Sequence, residues 1–156
     1  IWELSCHISN QEIIEFDYTR QDKKVVHRTV KPLTIMFSEY YFYLIAWFAN
    51  DSKDFPAIFR VDRITDIKNL KQKFNIPYRN RFSDGEFRKR VQFMYAGELK
   101  HIKFEFNGPS VEAILDRIPT AEIIKSDGNK HTIKAECYGD GVLMWLKTQG
   151  DYVKML

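Results

Sequence analysis

Hydrophobic and polar positions in the first seventy residues alternate in short stretches. Ile14, Phe16 and Tyr18 are separated by acidic residues, which is the period of a half-buried β-strand. Residues 25–30 return as a second strand after a polar turn. We expect Pro32 to end this strand, because proline has no N–H to donate to the sheet.

The longest apolar run covers residues 40–48 and is rich in tyrosine and phenylalanine. It predicts a central strand buried on both faces. A short helix over residues 1–9, a strand over 57–61 and a turn or strand over 64–70 complete this part. Several short strands with polar turns and no long helix between them indicate a small antiparallel barrel.

The last third of the chain alternates between the strand period and the helix period. The predicted elements are, in order, a strand at 102–106, a helix at 111–118, strands at 121–125 and 131–138, a helix at 140–149 and a strand at 152–156. This β-α-β-β-α-β order is that of a ferredoxin-like sandwich. The predicted fold class is therefore α+β.

Three segments follow from these patterns: a small β-barrel with an N-terminal helix at 1–70, a linker at 71–98, and the sandwich at 99–156. Ser83 and Glu86 form a capping-box pattern, so the linker is expected to contain one short helix. Residues 71–100 hold eight Lys or Arg against three Asp or Glu. This basic, partly aromatic segment suits a nucleic-acid strand, and a solvated linker face explains it as well.

Composition excludes several classes of protein. With 44% hydrophobic and 15% aromatic residues, the chain can bury a substantial core and is not expected to be disordered. Its two cysteines, Cys6 and Cys137, are far apart in sequence, and we expect both to be reduced thiols. No apolar run is long enough to span a bilayer and no signal-peptide pattern opens the chain, so we expect a soluble cytoplasmic protein. No spacing of residues indicates a metal, a cofactor or a catalytic centre, and we expect no enzyme activity.

Arg60 and Arg63 are the strongest candidates for a binding site. They lie three positions apart beside the aromatic run, and planar cationic groups next to rings suit phosphate, carboxylate or stacked bases. The alternative is that they pair with neighbouring carboxylates such as Asp62 or Asp66. On the chemistry of the residues alone, both interpretations stand.

Five further residues can contribute to such a site. Tyr18, Tyr41 and Tyr43 offer rings for stacking and hydroxyls for hydrogen bonds, although such tyrosines also serve as core residues with a polar end in water. Arg28 lies mid-strand between Val26 and Val30, and His27 lies beside it. We predict that Arg28, Arg60, Arg63 and Tyr43 form one anion-binding site.

The same residues carry a resemblance to a known family. Phe42-Tyr43-Leu44 with the following Ile45-Ala46-Trp47 resembles the signature of the WYL domain, although its first letter is Phe here instead of Trp. The other matching segments are Phe16-Asp17-Tyr18, Arg28-Thr29-Val30-Lys31-Pro32 and Phe59-Arg60-x-Asp62-Arg63-Ile64. The run from Tyr138 to Leu146 is similar to the C-terminal extension that often follows WYL domains.

The resemblance implies an Sm-like barrel and a role as the effector-sensing and oligomerising part of a transcription regulator. The implied partners are a nucleotide or single-stranded nucleic acid as effector, duplex DNA through a helix-turn-helix domain, and a second copy in a homodimer. Because Ile1 is not an initiator methionine, we expect that DNA-binding domain to precede this sequence. The alternatives are a protein–protein assembly module, or an accessory domain that holds a nucleic-acid strand for a partner enzyme.

Overall fold

Strand pairing divides the chain between two antiparallel sheets. The computed structural model describes residues 1–50, 53–75 and 83–156. It separates into two units, Ile1–Phe82 and Ser83–Leu156, and each unit contains one of the sheets. The observed class is therefore α+β, as predicted.

The first unit consists of a short helix followed by five strands. Its elements are α1 (Trp2–Ser9), β1 (Glu12–Thr19), β2 (Val25–Ser38), β3 (Tyr41–Phe48), β4 (Ala57–Arg60) and β5 (Ile64–Lys73). The strand order is β4-β3-β2-β1-β5. The sheet is open over the described residues, with β4 and β5 at its edges, so the predicted closure into an Sm-like barrel is not seen.

The second strand is more than twice as long as predicted. Strand β2 runs through Pro32 to Ser38, and its pairing with β3 shifts register between Pro32 and Thr34. A proline is tolerated in a sheet at such an irregularity, because the ladder there does not need its missing N–H. Pro32 therefore marks a bulge, and the prediction that it ends the strand is wrong.

Only the middle of β3 is buried as the sequence predicts. Leu44, Ile45 and Ala46 have no exposed surface, whereas Tyr41 and Phe42 at the start of the strand are 40% and 42% exposed. β3 lies between β4 and β2 in the sheet, and β2 is the central strand. The aromatic start of β3 is thus available to solvent.

The core of the first unit lies on one face of its sheet. Ile14 and Phe16 of β1, Leu44 of β3 and Phe59 of β4 pack together there, and helix α1 adds Leu4. These positions are two residues apart within each strand, so the residues between them project from the opposite face. That alternation places Tyr43 and Arg60 on the face away from this core.

The second unit has the predicted order of elements. It contains α2 (Asp84–Lys89), β6 (Leu99–Phe106), α3 (Val111–Arg117), β7 (Glu122–Asp127), β8 (Lys130–Tyr138), α4 (Gly141–Lys147) and β9 (Val153–Met155). From β6 onward this is β-α-β-β-α-β, and the sheet order is β7-β8-β6-β9. The turn between β7 and β8 has Gly128 at φ +61°, a conformation that favours glycine.

Helices α3 and α4 supply the core of the second unit together with its sheet. Phe104 and Ile133 from the sheet, Ile114 from α3, and Val142 and Leu146 from α4 are all at most 2% exposed. Each unit therefore has a hydrophobic core of its own. Among the described residues, no helix is long and apolar enough to cross a bilayer.

The segment between α2 and β6 packs closely against the turn that leads into α4. The backbone N–H of Tyr138 donates to the carbonyl of Arg90 at 2.7 Å, and that of Gly139 to Glu98 at 3.0 Å. A Cβ on Gly139 would lie 2.7 Å from the Ala96 carbonyl oxygen, and one on Gly97 would lie 2.6 Å from the Gly139 Cα. Glycine is required here because the two backbones touch.

This contact changes the interpretation of the predicted linker. Ser83 caps α2 by accepting from the Glu86 N–H at 3.4 Å, as the capping-box pattern predicts. Phe87 is 3% exposed, and its ring packs against Tyr138 at 5.4 Å. Residues 83–98 are thus part of the second unit, whereas the exact domain boundaries stay a prediction.

Two basic residues of this segment form ion pairs with carboxylates. Lys89 and Arg90 pair with Glu86 at 3.2 and 2.8 Å, and Arg90 also pairs with Glu136 at 3.1 Å. These contacts favour the interpretation as a solvated, ion-paired surface. The other members of the predicted basic and aromatic cluster, Tyr78, Arg79, Arg81 and Phe82, lie outside the described residues.

Candidate functional site

The pairing of β3 with β4 places Arg60 directly opposite Tyr43. Tyr41, two residues earlier on β3, projects from the same face. The guanidinium carbon of Arg60 lies 3.6 Å from the centroid of the Tyr41 ring, well inside the range of a cation–π contact. The Tyr41 ring therefore lies against the Arg60 guanidinium at the surface of the sheet.

Asp62 fixes the same guanidinium from its edge. Arg60 donates from Nε to Asp62 Oδ1 at 3.0 Å and from Nη2 to Oδ2 at 2.6 Å. This bidentate contact holds the pKa of Asp62 below its usual range and raises that of Arg60. The Arg60 side chain is 22% exposed and that of Asp62 is 53% exposed, so solvent reaches the pair.

The pair occupies only part of the hydrogen-bonding capacity of Arg60. A guanidinium has five N–H donors, and the side-chain hydrogen bonds of Arg60 within the described residues use one on Nε and one on Nη2. The donors on Nη1 and the second on Nη2 remain for a ligand. An oriented guanidinium with donors to spare suits a carboxylate or phosphate.

Tyr18 supports this site from the core face of the sheet. Its hydroxyl oxygen accepts the backbone N–H of Arg60 at 3.0 Å. Its ring packs edge-on against Phe59 at 5.1 Å and Phe16 at 6.5 Å. Tyr18 thus positions the backbone of Arg60, whereas its ring is part of the core.

Tyr43 and Arg63 complete the group. Burial raises the pKa of the Tyr43 hydroxyl, with Arg60 acting in the opposite direction, so Tyr43 is a neutral donor at physiological pH. Arg63 ends the 3₁₀ turn Val61–Arg63 that joins β4 to β5. Arg63 directly follows Asp62 in this turn, and its charge makes a small contribution to lowering the pKa of Asp62, after the larger effect of Arg60.

Arg28 does not join this group. The backbone N–H of Ala49 donates to the carbonyl of Thr29 at 3.0 Å, so Arg28 lies beyond the Phe48 end of β3. Phe48 and Tyr43 are five residues apart on that strand, a span of about 16 Å. The prediction that Arg28 shares one site with Arg60 and Tyr43 is therefore not supported by the strand register.

His27 is held by carboxylates on the neighbouring strand. Its Nδ1 lies 3.1 Å from Asp17 and its Nε2 lies 3.0 Å from Glu15. These hydrogen bonds, that of Asp17 first, raise the pKa of His27. The imidazole therefore joins β1 to β2, and both of its nitrogens are occupied.

Asp62 is the residue that the sequence prediction named only as an alternative partner. Its spacing of two residues from Arg60 was the available signal, but the spacing alone does not establish the contact. The observed 3₁₀ turn supplies it. Within the described residues no cluster of His, Cys, Asp or Glu could hold a metal ion.

Comparison with known proteins agrees with this architecture. The first unit is a small β domain with a basic and aromatic surface, and the second unit is an α/β domain. The first unit is the part by which the chain can be assigned to a class of protein. A family model for the WYL domain matches residues 3–69. Residues 3–69 are therefore a WYL domain, as the resemblance in sequence implies.

Two solved structures align with nearly the whole chain. A CRISPR Cas-related protein superposes with a TM-score of 0.58 at 15% identity, covering 99% of this chain and 45% of that one. Proteasome accessory factor B/C (PafBC) of Arthrobacter aurescens gives a TM-score of 0.47 at 15% identity, covering 97% of this chain and 23% of that one. This chain thus spans less than half the length of either. No curated protein matches significantly.

Proposed function

We propose that the WYL domain binds an anionic effector, a nucleotide or a short single-stranded nucleic acid, at the surface formed by Tyr41, Tyr43, Arg60, Asp62 and Arg63. We call this surface the Arg60 site. In this proposal the domain is the sensing part of a transcription regulator. It controls a DNA-binding domain elsewhere in the protein and acts as a homodimer.

The observation that carries the proposal is the orientation of the Arg60 guanidinium. A ring at 3.6 Å and a bidentate carboxylate hold it in place before any ligand arrives. Such preorganisation reduces the side-chain entropy lost on binding. Tyr43 and Arg60 lie on the sheet face opposite the hydrophobic core. Packing of the core therefore does not explain why the guanidinium is held in this position.

A phosphate can reach Arg60 without displacing Asp62. The donors on Nη1 remain for it, and Arg63 adds a second positive charge. The rings of Tyr41 and Tyr43 offer surfaces or hydroxyls to a base or sugar. Asp62 then acts as the orienting group and lowers the affinity for anions by its charge.

The proposal is tested by titrating labelled single-stranded oligonucleotides and following fluorescence anisotropy at two salt concentrations. Charge-assisted hydrogen bonds are worth about 1.5–3 kcal/mol each, so Arg60→Ala should weaken binding about tenfold or more. Losing one phosphate contact should also reduce the slope of log affinity against log salt by about 0.7. Arg63→Ala should act in the same direction.

Two further variants separate charge from geometry. Arg60→Lys keeps the charge but loses the planar fork, so its affinity should fall between those of the wild type and Arg60→Ala. Asp62→Asn removes a negative charge but also breaks the bidentate contact that orients Arg60; stronger binding would show that the charge of Asp62 outweighs its orienting role, and weaker binding the reverse. Arg20→Ala is the matched control, since Arg20 lies in the exposed turn after β1. Equal affinities for Arg60→Ala and Arg20→Ala would refute the proposed effector site.

The Arg60–Asp62 pair also favours a second candidate, an assembly module in which the pair is purely structural. On that alternative, Arg60→Ala lowers stability and leaves ligand titrations unchanged. Circular dichroism melting of the same variants distinguishes the two.

A further inference from the structure

A cavity in the WYL domain lies where β2 begins and β3 ends. Its volume is about 650 Å³, and residues 27–29, 48–50 and 53 line it. Pockets for small ligands commonly measure about 300–1,000 Å³. The cavity is thus large enough for a mononucleotide, and the Arg60 site shares none of its lining residues.

Two cations line this cavity without a carboxylate partner among the described residues. The hydrogen bond of the Arg28 side chain runs from Nη1 to the backbone carbonyl of His27 at 3.2 Å. Lys53 has no ion pair within the described part of the chain, and its side chain is exposed. His27 also lines the cavity, but its charge is offset by Asp17 and Glu15.

The cavity also has an apolar wall. Phe48 packs edge-on against Phe59 of the core at 6.3 Å and is only half-buried, so part of its ring faces outward. Phe48 lies opposite Val30 in the sheet, and Arg28 precedes Val30 by two residues. The side chains of Arg28 and Phe48 therefore project from the same face.

We propose that this cavity is a second anion site, which takes a phosphomonoester bearing a planar ring, such as a mononucleotide. Arg28 contributes a planar fork for two phosphate oxygens, and Lys53 contributes a compact charge. The base lies against Phe48. This inference does not depend on the effector site proposed at Arg60.

The test uses the Arg60→Ala protein as parent, because nucleotide binding at the Arg60 site is expected to be at least about tenfold weaker there. Isothermal titration with AMP should show one site. Arg28→Ala in this background should weaken it at least tenfold, and Lys53→Ala should weaken it less. Arg28→Lys, which keeps the charge and loses the fork, should fall between the parent and Arg28→Ala. Adenosine, which lacks the phosphate, should bind at least tenfold more weakly than AMP.

A second measurement needs no substitution at Arg28. In ¹H–¹⁵N correlation spectra of the Arg60→Ala parent, AMP should shift the amides of Thr29 and Ala49 and leave those of Val61 and Arg63 in place. Three results would each overturn the second site: no AMP binding at millimolar concentration, equal affinity for adenosine, or shifts confined to residues 61–63. Failure of oligonucleotide binding at Arg60 leaves this test unaffected.

Discussion

Tyr18→Phe removes a single oxygen atom and isolates the contribution of one hydrogen bond to the Arg60 site. The ring contacts with Phe16 and Phe59 stay in place. The Arg60 backbone N–H loses its acceptor at 3.0 Å. Because this hydrogen bond is only partly buried, water can replace part of it, and we expect a cost of about 1 kcal/mol.

Native-state hydrogen exchange followed by NMR measures this cost at the bond itself. Since 1.4 kcal/mol corresponds to a factor of about ten, the Arg60 amide should exchange about fivefold faster in Tyr18→Phe than in the wild type. The Phe104 amide, in the other sheet, serves as the internal control and should keep its rate. Oligonucleotide affinity should fall as well, because the backbone that carries the guanidinium is less restrained.

One result would refute this reasoning directly. If the Arg60 amide exchanges at the same rate in both proteins, the Tyr18 hydroxyl does not restrain β4. Tyr18→Ala is a separate comparison, since losing the ring opens a cavity and should cost about 3–5 kcal/mol. A similar loss in Tyr18→Phe and Tyr18→Ala would show that the hydroxyl matters more than the ring.

Two further predictions follow from packing and charge. Gly141→Ala would place a Cβ 2.1 Å from the Gln92 carbonyl oxygen, so it should destabilise the second unit by about 1–3 kcal/mol in urea unfolding. The control is Gly85→Ala, whose Cβ meets no atom within 4 Å and which should be neutral or stabilising. Equal urea midpoints for the two variants would contradict the prediction. The hydrogen bonds to Asp17 and Glu15 raise the pKa of His27 in the folded protein. Protonated His27 should therefore stabilise the fold fully below its unfolded-state pKa of about 6.5, and this stabilisation should be lost as the pH rises through the folded-state pKa. An NMR titration should place that pKa above 6.5 and show that Asp17→Asn lowers it; an unchanged value in Asp17→Asn would count against the hydrogen bond as the cause.

The sequence predicts most strands and helices because their signals are local. Alternation of apolar and polar residues locates β1 and β6, and the Ser83–Glu86 pattern locates the start of α2. The length of β2 could not be predicted in this way. A bulge lets a strand pass through Pro32 only when a neighbouring strand accommodates the shift, and that neighbour is distant in sequence.

The structure brings some of the predicted site residues together and leaves others apart. Tyr43 and Arg60 meet because β3 and β4 pair at that position. Arg28 was predicted to join them because these cations and the ring were expected on neighbouring elements of one small barrel, yet position along a strand decides which side chains meet. Register depends on the turns and on the bulge in β2, so a list of cationic and aromatic residues cannot specify it.

The backbone contact between Gly97 and Gly139 also limits how this protein can diverge. Most surface segments accept substitutions and small insertions, but residues 92–97 lie against a turn where a Cβ finds no room. One residue inserted between Gln92 and Gly97 would move a side chain into that contact. Relatives that keep α2 docked should therefore keep both glycines and the spacing between them, whereas relatives without them should have a C-terminal unit that begins at β6.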